Sequence, residues 1–109
     1  MEIYLKQDFF RSAFANDLPI KRANMLWATQ RPITFSALTE PSVGAAWESV
    51  PSWFAVGMRD RIVPPAVQIW MAERAGSTIR QVGAGHLSPV SAPSAVTAII
   101  DEAATDAVE

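Results

Sequence analysis

Residues 53–104 alternate between two hydrophobic patterns, and that alternation restricts the chain to few folds. Trp53-Phe54-Ala55-Val56 is an unbroken apolar run closed by Gly57, the pattern of a strand buried on both faces of a parallel sheet. Pro64 and Pro65 then open a helix that is expected to turn Val67, Trp70, Met71 and Ala75 inward and to end at Gly76. Thr78 to Val82 reads as a second short strand, interrupted in pattern by Arg80 and Gln81. Ser91 is placed to cap a last amphipathic helix, Ala92 to about Ala104, with Val96, Ile99 and Ile100 facing in. Strand, helix, strand, helix in this order implies two parallel strands joined by a right-handed crossover. The expected fold class is α/β.

The preceding half has a different texture. Asp8 is placed to cap a short helix, Phe9 to Ala15, with Phe10 and Phe14 on one face at i, i+4. Asp17, with Pro19 in the first turn, is placed to cap a second helix running to about Gln30. Arg31-Pro32 stops it, because a proline ring disfavours helical geometry in the residue before it. A further helical turn is expected over Ile33 to Thr39, and Glu40 to Pro51, rich in Pro, Ser, Gly and Ala, reads as an irregular connector. Residues 1–50 and 51–109 are thus expected to form two parts, helical and β-α-β-α.

Composition removes several classes of function. Nine basic and eleven acidic side chains give a formal charge of −2 with no Lys/Arg cluster, so neither nucleic acid nor an anionic membrane surface is an expected partner. There is no cysteine and one histidine, which excludes disulfides, thiolate catalysis and a His/Cys metal site; no cofactor is expected. The first residues lack the basic and apolar regions of a signal peptide, and no apolar run approaches about 18 residues, so the expected location is cytoplasmic.

Chemistry in open parallel sheets collects at the carboxyl ends of strands. Asp60 lies three residues past the first strand, and His86, the lone histidine, follows the second within Gly83-Ala84-Gly85-His86. If the strands are neighbours, the carboxylate can hydrogen-bond one imidazole nitrogen, fix its tautomer and stabilise the imidazolium formed when the other nitrogen takes a proton. Taken alone, Asp60 could equally be a loop carboxylate neutralised by Arg59 and Arg61, and His86 a solvated loop histidine.

From Phe9 onward the chain resembles the C-terminal portion of the α/β-hydrolase superfamily, in the branch of small bacterial esterase-like proteins related to plant methylesterases and hydroxynitrile lyases. The resemblance rests on Phe10, Phe14, Asp17-Leu18-Pro19 and Gln30-Arg31-Pro32, then Trp47, Pro51-Ser52-Trp53, Asp60-Arg61-Ile62-Val63-Pro64-Pro65 and Gln68. It continues through Met71-Ala72-Glu73-Arg74-Ala75-Gly76, His86, Ser91, Pro93 and Val96. It implies a partial α/β-hydrolase fold, with a helical cap segment in residues 1–50 and the end of the core in 51–109. It further implies that Asp60 is the triad acid and His86 the triad base. Gly85 departs from the pattern, since many relatives carry a polar residue there, and is expected to loosen the histidine loop.

The superfamily's nucleophile sits on a Gly-x-Ser-x-Gly elbow ahead of the acid and base, and none of the nine serines here lies in that context. Ser88 and Ser91 are near His86 in sequence, but Ser91 is better used as a helix cap and neither has an elbow to arrange oxyanion donors. The chain is accordingly read as a C-terminal hydrolase portion, acting on a small, largely apolar ester when complemented. The alternative is a non-catalytic remnant or binding module that keeps the packing without the chemistry. Trp53 and Trp70 are expected in the core, and Trp27 and Trp47 are expected to line an acyl or alcohol pocket. The first strand is expected to leave one edge unpaired, to be covered by another copy of the chain or by an N-terminal hydrolase half.

Overall fold

A computed structural model describes residues 1–108. The elements in chain order are β1 (Glu2–Ile3), α1 (Gln7–Phe9), a π-helical turn (Phe10–Phe14), α2 (Ile20–Ala28), β2 (Ile33–Thr34), α3 (Phe35–Thr39), a 3₁₀ turn (Ala46–Glu48), β3 (Trp53–Gly57), α4 (Pro65–Arg74), β4 (Thr78–Val82), α5 (Ser88–Ser91) and α6 (Pro93–Ala107). β3 and β4 pair in parallel, Trp53 opposite Thr78 and Gly57 opposite Val82, and α4 and α6 both pack against them. The α/β class and the strand, helix, strand, helix order are therefore as the hydrophobic pattern dictates. Burial is concentrated at the carboxyl ends of the strands, where Val56, Gly57, Val82 and Ala84 are all buried.

The hydrogen-bond ladder does not stop where the strands end. Met58 N donates to Val82 O (2.9 Å) and Arg59 N donates to Ala84 O (3.0 Å). Both outgoing loops are thereby held in register for another residue or two, which satisfies backbone groups that burial would otherwise leave unpaired.

Several local readings are corrected. Asp8 caps nothing: α1 begins at Gln7 after Lys6 with no side-chain cap, and Asp8 Oδ1 only accepts the adjacent Phe9 amide at 2.9 Å. The chain then continues as the π turn, closed by Ala15 N donating to Phe10 O at 2.7 Å. Asp17 is not a helix cap either; Pro19 occupies that position, and the carboxylate is used on a distant loop. Ser91 does not cap α6, which starts at Pro93 after Ala92; its hydroxyl donates back to Leu87 O at 3.3 Å. β1 and β2 form an unexpected antiparallel pair, Glu2 opposite Thr34, whose two-residue strands are too short to show a period.

On α4 the inward residues are Gln68 and Ala72, while Val67 and Trp70 are 44% and 59% exposed, so Trp70 is not a core residue. The cause is phase: Gln68 makes hydrogen bonds that only an inward side chain can reach, and Trp70 is thereby turned outward, within 5.9 Å of the Arg74 guanidinium. Ile100 of α6 is likewise exposed at 61%. The glycine stop at α4 holds, with Ala75 ending the helix and Gly76 in the left-handed region at φ 64°, where a residue without Cβ meets no penalty.

The first fifty residues pack onto the rest. Phe10, Ala15 and Ala23 form a buried cluster joined by Leu18, Leu26, Trp27, Phe14 and Leu87. Leu87 follows the histidine, so this cluster reaches the His86 loop directly.

Candidate active site

Asp60 sits one residue past the last ladder contact of its loop, and His86 two past the last contact of its own. The side chains meet: His86 Nδ1 lies 3.0 Å from Asp60 Oδ2. The carboxylate is almost wholly buried, its side chain 6% exposed, whereas the imidazole is 31% exposed. An ionised carboxylate only accepts hydrogen bonds, so Nδ1 carries a proton, and in the neutral ring Nε2 then keeps the lone pair that a general base requires.

Asp60 is held by more than the histidine. Oδ1 accepts the amides of Ile62 (2.7 Å) and Val63 (3.1 Å), a side-chain turn that the loop sequence makes locally. Oδ2 also accepts from Gln68 Nε2 at 3.0 Å. Burial works against the charge. The hydrogen bonds from His86, Ile62 and Val63 outweigh it, joined by the ring's charge when His86 is protonated, and hold the carboxyl below the ordinary aspartate range.

Gln68 is the positioning residue that the pattern of apolar spacing misses. It is 5% exposed, and its amide does three things at once: Oε1 accepts Gly57 N at 3.0 Å, and Nε2 donates to Asp60 Oδ2 and to Val63 O at 2.7 Å. The strand end, Asp60 and its loop are thus tied to α4 through one side chain. The signal in the sequence is a glutamine in the first turns of a proline-initiated helix, eight residues after the aspartate. It is visible only once a helix phase is assigned.

One cavity borders this pair and a second lies beyond Phe14. The first, of about 210 Å³, is lined by Phe54, Ala55 and Gly57 of β3 together with Asp60, Gln68 and His86. The other, of about 490 Å³, is mostly apolar and lies among Ile3, Phe9, Phe10, Phe14, Ile33 and Ile62. Phe14 joins it to the base, its ring 5.0 Å from the imidazole at 50°. The tryptophans expected to line a pocket are elsewhere. Trp27 is half-buried and its indole N–H donates to Leu5 O at 2.9 Å, while Trp47 is exposed and lies 5.5 Å from the Arg74 guanidinium. Neither borders either of these cavities. Ser88 borders the smaller cavity, and its backbone carbonyl accepts the Ala92 amide.

Gly85 does not loosen the histidine loop. It is buried, its amide donates to Asp17 Oδ2 at 2.8 Å, and the place a side chain would take is filled by Asn16 and Asp17. Among the described residues no three His, Cys, Asp or Glu side chains cluster as a metal site would need, and no helix is long and apolar enough to cross a membrane.

A search of curated proteins finds no match to this chain. A family model described as "Alpha/beta hydrolase family" matches residues 2–99, a span that takes in the helical region, both parallel strands, Asp60 and His86. On that match, and with a parallel sheet that carries an aspartate and a histidine on adjacent strand-end loops, the chain belongs to the alpha/beta hydrolase family.

Proposed function

We propose that this chain supplies the acid and base of a serine hydrolase acting on a small, largely apolar ester. The observation that carries the reading is the 3.0 Å contact between His86 Nδ1 and a buried, fully hydrogen-bonded Asp60. In this role Nε2 of His86 accepts the proton of a serine hydroxyl as the oxygen attacks the ester carbonyl. The imidazolium, stabilised by Asp60, then returns the proton to the departing alkoxide. A water deprotonated by the same nitrogen releases the acyl group. The apolar cavity reached past Phe14 has the size and lining to take an ester's hydrocarbon part, a role that replaces the one expected of Trp27 and Trp47.

The 109 residues contain no Gly-x-Ser-x-Gly elbow, so the serine and its oxyanion donors come from another polypeptide segment. β3 is paired on one edge only among the described residues, and that free edge is where such a segment would add its strand.

The test is hydrolysis of p-nitrophenyl acetate by the chain alone and by the chain joined at its N-terminus to an α/β-hydrolase segment that carries a Gly-x-Ser-x-Gly elbow. Alone, the chain is expected to show no rate that His86→Ala removes. Joined to a segment bearing the elbow, it is expected to turn over substrate and to lose that turnover in His86→Ala and Asp60→Ala. A joined protein with an intact elbow and no His86-dependent rate would sink the proposal in favour of a packing remnant.

A further inference from the structure

Two polar residues from the helical region reach the loops that carry Asp60 and His86. Asn16 Nδ2 donates to the carbonyl of Arg59, the residue before the acid, at 2.8 Å. Asp17 Oδ2 accepts the amide of Gly85, the residue before the base, at 2.8 Å. These contacts span 43 and 68 residues of sequence, and the two side chains that make them are adjacent in the chain. One dipeptide therefore grips both loops at the residue ahead of the functional side chain, one loop by a carbonyl and the other by an amide.

The surroundings are built around this grip. Gly85 has no positive φ, so its backbone does not need glycine; the packing does. A Cβ there would lie 2.9 Å from Asp17 Oδ1 and closer still to Asn16 Oδ1. Those two oxygens are buried and have no hydrogen-bond partner, although such groups are normally satisfied. Local satisfaction is thus given up where the two side chains crowd against Gly85. The approach is reinforced from the other side, where Arg61 Nη1 donates to Ser12 O at 3.1 Å.

We infer that Asn16 and Asp17 form a clip that sets the acid loop against the base loop, making them positioning residues for the Asp60–His86 contact. The inference rests on the reading of that contact as an acid–base pair. The clip acts on backbone atoms: Asn16 holds the Arg59–Asp60 peptide by its carbonyl, and Asp17 holds the Ala84–Gly85 peptide, one before the peptide entering His86, by its amide. With Asn16 released, the Arg59–Asp60 peptide loses its side-chain anchor; with Asp17 released, the Ala84–Gly85 peptide keeps only the bond from Arg59 N to Ala84 O, and the next peptide, which aims His86, is less constrained. The helical region is then a part of the acid–base geometry as well as a wall of the substrate cavity.

His86 is the sole histidine, so its ring nitrogens can be followed in the ¹⁵N-labelled full chain without assignment ambiguity. The spectra are recorded over a rising pH series and compared at the alkaline plateau, where the ring nitrogen resonances no longer change and the tautomer is read directly. The wild type is expected to show one protonated-type and one unprotonated-type nitrogen. Asp17→Asn keeps an acceptor for Gly85 N and is expected to keep that separation. Asp17→Ala and Asn16→Ala are expected to lose it, the two resonances converging towards a tautomeric average while far-UV circular dichroism stays that of the wild type. Asp60→Ala reports on the pair itself and is expected to converge too. Convergence in Asp60→Ala with full separation in folded Asn16→Ala and Asp17→Ala overturns the clip and leaves the pair standing. Full separation in Asp60→Ala overturns the pair, and the clip with it. Should Asp17→Ala not fold, Asn16→Ala decides alone, because full separation in that folded variant overturns the proposal.

Discussion

Exchanging the Gln68 carboxamide for a carboxylate tests whether this side chain holds the acid by donating to it. In Gln68→Glu one oxygen can still accept Gly57 N, but the group that donated to Asp60 Oδ2 at 3.0 Å and to Val63 O at 2.7 Å becomes an acceptor facing acceptors. Two carboxylates 3.0 Å apart repel by about 5 kcal/mol at an effective dielectric of about 20. That corresponds to a rise of about 4 pK units for the pair, at about 1.4 kcal/mol per unit. The folded variant therefore holds one shared proton far above the unfolded glutamate value of about 4.3. A group whose folded pKa is raised contributes its stability at low pH and loses it as pH rises above the unfolded value. At about pH 4 the introduced carboxyl, still protonated, donates one bond, and the cost relative to wild type is about 1 kcal/mol for the bond it cannot make. By about pH 8 the cost grows by up to about 5 kcal/mol.

Gln68→Leu supplies the contrast. It leaves Gly57 N–H and Val63 C=O without their side-chain partner and takes one donor from Asp60, a loss of about 3–5 kcal/mol with little dependence on pH. Urea denaturation of wild type, Gln68→Glu and Gln68→Leu at both pH values makes the comparison. A Gln68→Glu variant equally destabilised at the two pH values would show that the amide does not donate to Asp60 and would remove α4 from the account of the site.

Two further outcomes follow from the same structure. Burial opposes the ionisation of Asp17, but the nearby Ser91 hydroxyl, the Gly85 amide and the Arg59 charge outweigh it and hold the carboxyl below the ordinary aspartate range; Asp60 is lowered as described. Both stabilise the fold above the unfolded value of about 3.9 and lose that contribution as pH falls below it, so the urea midpoint is expected to drop in acid and Asp17→Asn to flatten the drop; an equally steep drop in the variant would remove Asp17 as a source. Trp27→Phe removes the indole donor to Leu5 O but leaves that carbonyl the Gln30 amide at 2.9 Å, so a loss of about 1 kcal/mol is expected with unchanged His86 ring resonances; a changed ring spectrum would return Trp27 to the site.

What is legible in the sequence is what depends on near neighbours in the chain. Trp53–Gly57 and the proline-initiated, glycine-terminated helix carry their own signals, and once two strands are parallel and adjacent the positions of Asp60 and His86 follow from counting residues past each strand end. Capping misleads for one reason repeated at Asp8, Asp17 and Ser91. A polar residue before a helix looks like a cap whatever it binds, and two of these three bind something else: Asp17 goes to Gly85, 68 residues away, and Ser91 to the Leu87 carbonyl. The tryptophans mislead similarly, since ring size says that a residue buries area but not beside what. Trp27 spends its polar edge on Leu5, and Trp47 and Trp70 flank Arg74 at the surface.

Asp60 and His86 are held in different ways. The carboxylate has four acceptor contacts, and three of the donors, the amides of Ile62 and Val63 and the amide group of Gln68, lie within eight residues of it. Its orientation is thus set by the loop and by α4 before His86 arrives. The histidine has no comparable local support: its loop is a glycine-flanked turn whose long-range anchors are the Arg59–Ala84 ladder contact, the Asp17 carboxylate, the Phe14 ring and the packing of Leu87. Two of those elements, the Asp17 carboxylate and the Phe14 ring, come from the first twenty residues, and Leu87 packs on the same helical region. The placement of Asp60 is therefore a property of the β-α-β unit, while that of His86 is a property of that unit and the helical region together. Separating residues 1–50 from 51–109 should leave Asp60 bound by Gln68 and its own loop while His86 loses its fixed tautomer.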